Sequence, residues 1–442
     1  MIYAIIIYIL IMLCISIYDY FKVNNFEDFA VAGKNQGFKT VFLSLMASII
    51  GASATIGLAD RVIQVGFPAF WWLGVGTFGL ILQSIFLSEK IRALNANTLP
   101  DIAKITVGNG AKTMLAILIV ISWVGIIAAQ MVSLSVLVKT IFGKENSESI
   151  IIFIGIFVII YTLIGGQLSV LKTDRIQSLM IGIGIIITVI YLVVTKGGNL
   201  NSTVSEIEVV NSDVQIIDIL SLFFIVGGTY FLGPDIISRN LFSKDGKIAK
   251  RAAFFSGVGL FIFAILITFI GLWAKVNIDD LKGINPLVHI MSNYVPLPVE
   301  ILLCLALIAT LVSSADTCLI NAATIMEYDI LGKKRVWVIR VMVVLLGACA
   351  LIMAMYNKDI IGLLTGAYSI YSPAIVCPLC VAICVHKHKS IRKRLWYMAV
   401  LCGGILGILS TYFGVGGDYL PLIAMGISLV LSILSIKREK FN

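Results

Sequence analysis

Apolar runs of about twenty residues, the length that crosses a bilayer as a helix, recur from one end of the chain to the other with short polar breaks between them. They fall at roughly 1–19, 40–60, 66–88, 113–138, 149–165, 174–195, 216–238, 252–274, 298–325, 336–356, 359–385, 395–413 and 418–436, which predicts about thirteen membrane-spanning helices and leaves almost nothing for a soluble domain. The first run, MIYAIIIYILIMLCISIYDY, has neither a basic leading region nor a small-residue cleavage site, so it reads as a retained helix rather than a secretory signal.

Two of these runs carry interruptions. The second contains MASIIGASATIGLAD, with Gly51 at its centre; the seventh contains IVGGTYFLGPDIISR, with Gly227, Gly228, Gly233 and Pro234. Close helix packing on small residues explains either one alone. In hydrocarbon, however, backbone that leaves helical geometry must line a cavity or be buried in protein. Two interruptions five spans apart match two inverted five-helix repeats with a binding site at the bilayer midplane between the broken helices. The expected organisation is an extra N-terminal helix and inside loop (1–39), a first five-helix repeat (40–195), an outside loop (196–215), a second, inverted repeat (216–385), and two C-terminal helices with a basic tail (386–442).

A third anomaly is one of polarity. LVSSADTCL, Leu311 to Leu319, places hydroxyls and a carboxylate inside an apolar run, although an ionised Asp at the helix centre costs about 2.5–3.5 kcal/mol on insertion scales. At about 100° per residue, Thr310, Ser313, Ser314 and Thr317 share a face, with Asp316 about 60° to one side of Ser313. Neutral hydroxyls and main-chain carbonyls suit a hard monovalent cation; calcium would want a cluster of carboxylates. Hydroxyls bonding back to their own helix remain the alternative.

Composition agrees with a polytopic membrane protein: 59% of residues are hydrophobic and 13% charged, against about 25% charged in soluble domains. The net charge of +9 raises the question of nucleic acid, which the position of the charges answers. With the N-terminus outside, roughly 26 of the 33 Lys and Arg fall in inside loops, among them Arg239 to Arg251, Lys333 to Arg335, Lys387 to Arg394 and the terminal KREK. Basic charge is therefore topology, with contact to anionic membrane lipid, and nucleic acid is not an expected partner. The C-terminus is placed in the cytoplasm and the chain in the cell membrane. Cys377 and Cys380 of CPLC have no His or carboxylate beside them and read as packing residues, and HKHK (His386 to Lys389) reads as a solvated inside loop. Asn201-Ser-Thr matches a glycosylation acceptor. Without a nucleotide loop, metal cluster or nucleophile–base set, an enzyme is not expected.

The stretch YTLIGGQLSVLKTDRIQ (Tyr161 to Gln177) resembles the signature of the sodium/solute symporter family, the sodium-coupled sugar, proline, pantothenate and sialic acid carriers. DFAVAGK (Asp28 to Lys34), SLMASIIGASATIGLA (Ser44 to Ala59), YFLGPDIISR (Tyr230 to Arg239), VSSADT (Val312 to Thr317) and AYSIYSPAIVCPL (Ala367 to Leu379) extend the resemblance over nearly the whole chain in family order. The resemblance implies an all-α, LeuT-type core of five plus five inverted helices, with one extra N-terminal and two extra C-terminal helices. It also implies a monomeric functional unit that couples a sodium ion to uptake of a small organic solute by alternating access. Carried over, the common sodium site uses the carbonyls of Ala47, Ile50 and Thr310 and the hydroxyls of Ser313 and Ser314. A second sodium, which some members bind, would use Asp174 with Ser313, Asp316 and Thr317. Asp174 could instead pair with Lys172 or Arg175 in the inside loop.

The implied solute pocket and gate comprise Ser53, Ala54, Thr229, Tyr230, Phe231, Tyr368, Ser369 and Ser372. Ile49 and Ala54 stand where sugar carriers have polar side chains on the first core helix, which argues against a sugar. Asp60 and Arg61 read as an interfacial pair, or Arg61 as an attractor of a carboxylate-bearing solute. A proton-coupled carrier using Asp316 or Asp174, and a channel or transport-like sensor, remain open at this point.

Overall fold

A computed structural model describes residues 1–21, 25–143, 147–195, 203, 207–279, 281, 283–386, 388–415 and 419–437; among them helices account for the apolar runs and no strand forms. Among the described residues, ten helices are long and apolar enough to cross a membrane, a bent pair makes an eleventh span, and two further apolar helices are shorter. In chain order α1 is Ile2–Tyr20, α2 the pair Phe38–Ile49 and Ser53–Val65, α3 Phe67–Phe86, and α4 Asn109–Phe142. Next come α5, Ser147–Ile164, then α6 Gln167–Thr195, α7 Ile216–Phe242, α8 Gly246–Asn277, α9 Leu297–Leu331, α10 Val336–Tyr356, α11 Ile360–Val385 and α12 Lys393–Phe413. Last is α13, Leu420–Leu434. Each expected span corresponds to one of these, but α4 and α8 run to 34 and 32 residues, because the helical ladder continues through polar residues past the apolar stretch. Asn201 and Ser202 of the glycosylation sequence, Lys387 and the last residues from Arg438 lie outside the described residues.

The packing repeats with an offset of five helices. The first half of α2 lies on α8, as α7 lies on α3; α6 lies on α9, as α11 lies on α4. The pairs α3 with α8, α4 with α9 and α5 with α10 each join equivalent helices of the two halves. Helix α1 sits outside this core against α5 and α6, where the Gln177 amide donates to the Tyr8 hydroxyl at 2.9 Å and Lys172 pairs with Asp19 at 2.5 Å. Helices α12 and α13 cover α11; Gly403 and Gly407 allow this, since a Cβ on either would lie 2.3 Å from the carbonyl oxygens of Pro373 and Ser369. Ile183, Ile186 and Ile190 of α6 and Leu401 and Ile405 of α12 are exposed, as expected for side chains that meet lipid tails rather than water.

Near the start of α2 three short connections are tied together. Gln36 N donates to Phe242 O and Lys244 N to Gln36 O, each at 2.9 Å. Arg92 Nε donates to Ser243 O at 2.6 Å, and Lys34 Nζ to Asn95 O at 2.9 Å. Partial burial, with the Arg92 guanidinium close by, holds the Lys34 ammonium below the usual lysine range.

Candidate cation and solute site

Helix α2 breaks where its sequence turns small. Its first half ends at Ile49, Ile50 is extended (φ −92°, ψ 93°), and helical geometry resumes near Ser53. The Ala52 N–H, which would otherwise continue the ladder, donates instead to Gln130 Oε1 of α4 at 2.8 Å. Carbonyls released by the break meet the hydroxyls of α9. Ser313 Oγ lies 2.8 Å from Ala47 O and 3.0 Å from Thr310 O; Ser314 Oγ lies 3.1 Å from Ser48 O and 3.2 Å from Ile50 O. Each hydroxyl has one proton to offer two carbonyls, so the cluster has more acceptors than protons. Hard-cation chemistry fits such a set of oxygens. The structure thus brings Ala47, Ile50, Thr310, Ser313 and Ser314 together. Of the hydroxyls, that of Thr310 bonds back to its own helix, at Ala306 O, while that of Ser314 reaches across to α2. Gly51 permits the approach: a Cβ there would lie 2.8 Å from Ser314 Oγ and 2.9 Å from Gln130 Nε2.

The residues expected to hold a second sodium are arranged differently. Asp174 is fully buried and pairs with neither Lys172 nor Arg175; its Oδ2 accepts from Arg239 Nη2 at 3.1 Å and from Ser44 Oγ at 2.5 Å. Arg239 also donates to Thr317 Oγ1 at 2.8 Å and, through Nε, to Ser44 Oγ at 3.1 Å. Asp174 and Thr317 therefore meet around a guanidinium, while Ser313 faces Ala47. Placing Arg239 among the inside-loop charges is corrected: it is 0% exposed. Helix α7 continues to Phe242, which turns Arg239 into the bundle instead of releasing it into the loop. Neither carboxylate oxygen of Asp316 has a hydrogen-bond partner among the described residues.

Next to the cation cluster lies a small cavity of about 40 Å³ whose lining includes Ser53, Thr229, Tyr230 and Tyr368; it has room for about three water molecules, so a solute the size of an amino acid requires the surrounding helices to part. Tyr230 Oη approaches Ile49 O at 3.4 Å, linking the cavity wall to the break. Ala54, Phe231, Ser369 and Ser372 do not line it. Phe231 lines an apolar recess with Phe223, Val376 and Met425, and Ser372 Oγ is spent on Ile225 O and Thr229 Oγ1. The cavity adds Trp123, Ile126 and Gln130 from α4, Asp235 from α7 and Cys318 from α9. Sequence reasoning missed these. The polar Gln130 within the fourth apolar run, and the carboxylate directly after Gly233-Pro234, were signals that could have found two of them.

Gly233 is extended (φ −69°, ψ 142°) and Pro234 starts the second half of α7, as a proline disfavours helical geometry in the residue before it. Asp60 and Arg61 form no ion pair with each other. The Arg61 guanidinium donates to Gln64 Oε1 at 3.1 Å, and both residues line a separate vestibule that also contains Asn285, Lys358 and Asp359.

A model of the sodium:solute symporter family matches residues 29–391. The high-affinity proline transporter of Bacillus subtilis (strain 168) is 27% identical over 256 residues, covering 54% of this chain and 54% of that protein. The chain spans about half the length of the first proline carriers it matches. The sodium/proline symporter of Haemophilus influenzae is 25% identical over 408 residues, covering 83% of this chain and 80% of the relative. Among solved structures, a Na+-coupled sialic acid symporter in a substrate-bound, outward-open state superposes with a TM-score of 0.82 over 99% of this chain and 98% of its own at 15% identity, a likeness of fold.

Proposed function

Because the chain belongs to the sodium:solute symporter family, with its LeuT-type inverted-repeat fold, we propose that it couples sodium influx to the uptake of a small organic solute by alternating access. The observation that carries this reading is the pair of α9 hydroxyls, Ser313 and Ser314, set against carbonyls freed by the break in α2. A sodium ion held there would tether α2 to α9 and favour the form open to the outside; solute then binds in the adjoining cavity, the outer path closes, and both leave inward. One sodium falling through 100 mV supplies about 2.3 kcal/mol and a tenfold concentration ratio about 1.4 more. Together these support accumulation of a neutral solute by roughly several hundredfold.

The N-terminus is placed outside and the tied connections of Lys34, Arg92 and Ser243 on the cytoplasmic face, in keeping with the inside-positive loops. Proline, named for several relatives, is the first solute to try.

Thermal stabilisation of the purified protein with and without sodium tests the proposal. Sodium should raise the unfolding temperature, and Ser313→Ala with Ser314→Ala should abolish the rise. A wild-type protein indifferent to sodium, or an unchanged sodium response in the double variant, removes the site. A second reading is proton coupling, favoured by Asp316, whose two buried carboxylate oxygens have no hydrogen-bond partner among the described residues. Uptake driven by a pH gradient in sodium-free vesicles, lost in Asp316→Asn, would select it.

A further inference from the structure

The central cavity contains a carboxylate that neither the hydroxyl–carbonyl cluster nor the Asp174–Arg239 pair uses. Asp235 lines it together with Trp123, Tyr230 and Tyr368, and it lies within electrostatic reach of the phenols of Tyr230, Tyr368 and Tyr371. The Gly233–Pro234 break sets its position in the first turn of Pro234–Phe242. Ion pairs among the described residues join Lys112 to Asp329, Lys172 to Asp19, Arg239 to Asp174 and Lys250 to Glu89, and none includes Asp235. Arg239 is the nearby guanidinium, but its Nη2 is turned to Asp174 and Thr317, and its Nη1 reaches the main-chain oxygen of Asp235 at 3.3 Å. No Lys or Arg lines the cavity.

The one cation within electrostatic reach of Asp235 on its own helix, Arg239, is shared with Asp174 and Asp316, and a carboxylate at membrane depth marks a binding or transport path by default. Its neighbours indicate the kind of partner. Aromatic faces attract cations through their quadrupoles, most strongly where water is excluded, so one carboxylate beside an indole and two phenol rings forms a receptor for a positively charged nitrogen. An acidic residue in the first turn of a helix also has a local use, since it complements the helix dipole. That use does not require the side chain to face a cavity walled by aromatic rings.

We propose that Asp235 binds the cationic nitrogen of the transported solute, so that the solute is a protonated amine or a quaternary ammonium compound, zwitterions included. This rests on the reading of the same cavity as the solute site of a carrier and narrows it. A neutral polyol would leave Asp235 with only the Arg239 charge that it shares with Asp174 and Asp316, and a simple anion would be repelled by it.

Matched isosteres provide the test, on the full-length purified protein in sodium buffer. L-proline is compared with cyclopentanecarboxylate, and choline with 3,3-dimethylbutanol, by calorimetric binding and thermal shift. In at least one pair the cationic member should bind tenfold or more tightly than its isostere, about 1.4 kcal/mol. Asp235→Asn should erase that preference, Asp235→Glu should keep most of it, and both variants should retain the stabilisation by sodium. Equal binding within both pairs, no binding of either cationic probe, or a preference that survives Asp235→Asn each overturns the proposal. If Asp235→Asn does not fold, the wild-type comparison decides. Failure of sodium to stabilise the wild type would refute sodium coupling instead, and the isostere comparison would still stand by itself.

Discussion

Replacing Arg239 by Met should destabilise the protein more than any change to its partner Asp174. The guanidinium is fully buried and donates to Asp174 at 3.1 Å, Thr317 at 2.8 Å, Ser44 at 3.1 Å and Ser238 at 3.2 Å. It also lies within electrostatic reach of three carboxylates, those of Asp174, Asp235 and Asp316. In Arg239→Met, Asp174 keeps only the hydroxyl of Ser44 as its partner. Removing one member of a buried pair costs about 3–5 kcal/mol, or roughly two to three and a half powers of ten in the folded-to-unfolded ratio. Asp174→Asn is milder, because the guanidinium retains Ser44, Thr317 and two other nearby carboxylates; about 1–3 kcal/mol is expected, the scale for one lost charge-assisted bond. The double variant, with a neutral amide facing a thioether, should recover at least 1 kcal/mol or so of the Arg239→Met loss, since no uncompensated charge remains at Asp174. Equilibrium unfolding in mixed micelles at fixed detergent composition, in sodium-free buffer, measures all three. The reasoning is refuted if Asp174→Asn is as damaging as Arg239→Met, or if the double variant is no more stable than Arg239→Met.

Further outcomes follow from other close contacts. Gly51→Ala drives a methyl to 2.8 Å from Ser314 Oγ and 2.9 Å from Gln130 Nε2; it should cost about 1–3 kcal/mol as overpacking and weaken the sodium-dependent thermal shift, whereas an unaltered shift would show that the approach of α2 to α9 is not required. Gln130→Leu leaves the Ala52 N–H without its 2.8 Å acceptor, a loss of about 1–3 kcal/mol, readable as faster hydrogen exchange confined to the break in α2. Arg92→Ala removes the 2.6 Å bond to Ser243 O and the weaker contacts to Lys34 O and Lys244 O. It should raise several-fold the labelling of a cysteine introduced at Ser48, which lines the cavity, by a reagent applied from the side of these tied connections, and unchanged labelling would show that they do not close the path to it.

The chain by itself determined the span pattern, because bilayer thickness acts on the length of an apolar run and needs no tertiary contact. It also located the two breaks, since Gly51 and Gly233–Pro234 are local departures from helical chemistry, and it set Ser313 and Ser314 on one face through the helix period. Three things escaped it. The boundary near residue 238 hid Arg239, because a basic residue at the end of an apolar run reads alike whether the helix stops or continues one turn. Gln130, Trp123 and Asp235 were not assigned to the cavity, since a single helix shows which residues share a face but not which neighbour that face meets. Asp174, with Lys172 and Arg175 beside it in sequence, finds its cation 65 residues away, while Lys172 turns to Asp19 on α1. Only tertiary structure decided these pairings: buried charge selects partners by distance and desolvation across the bundle, and neither quantity is encoded in spacing along the chain.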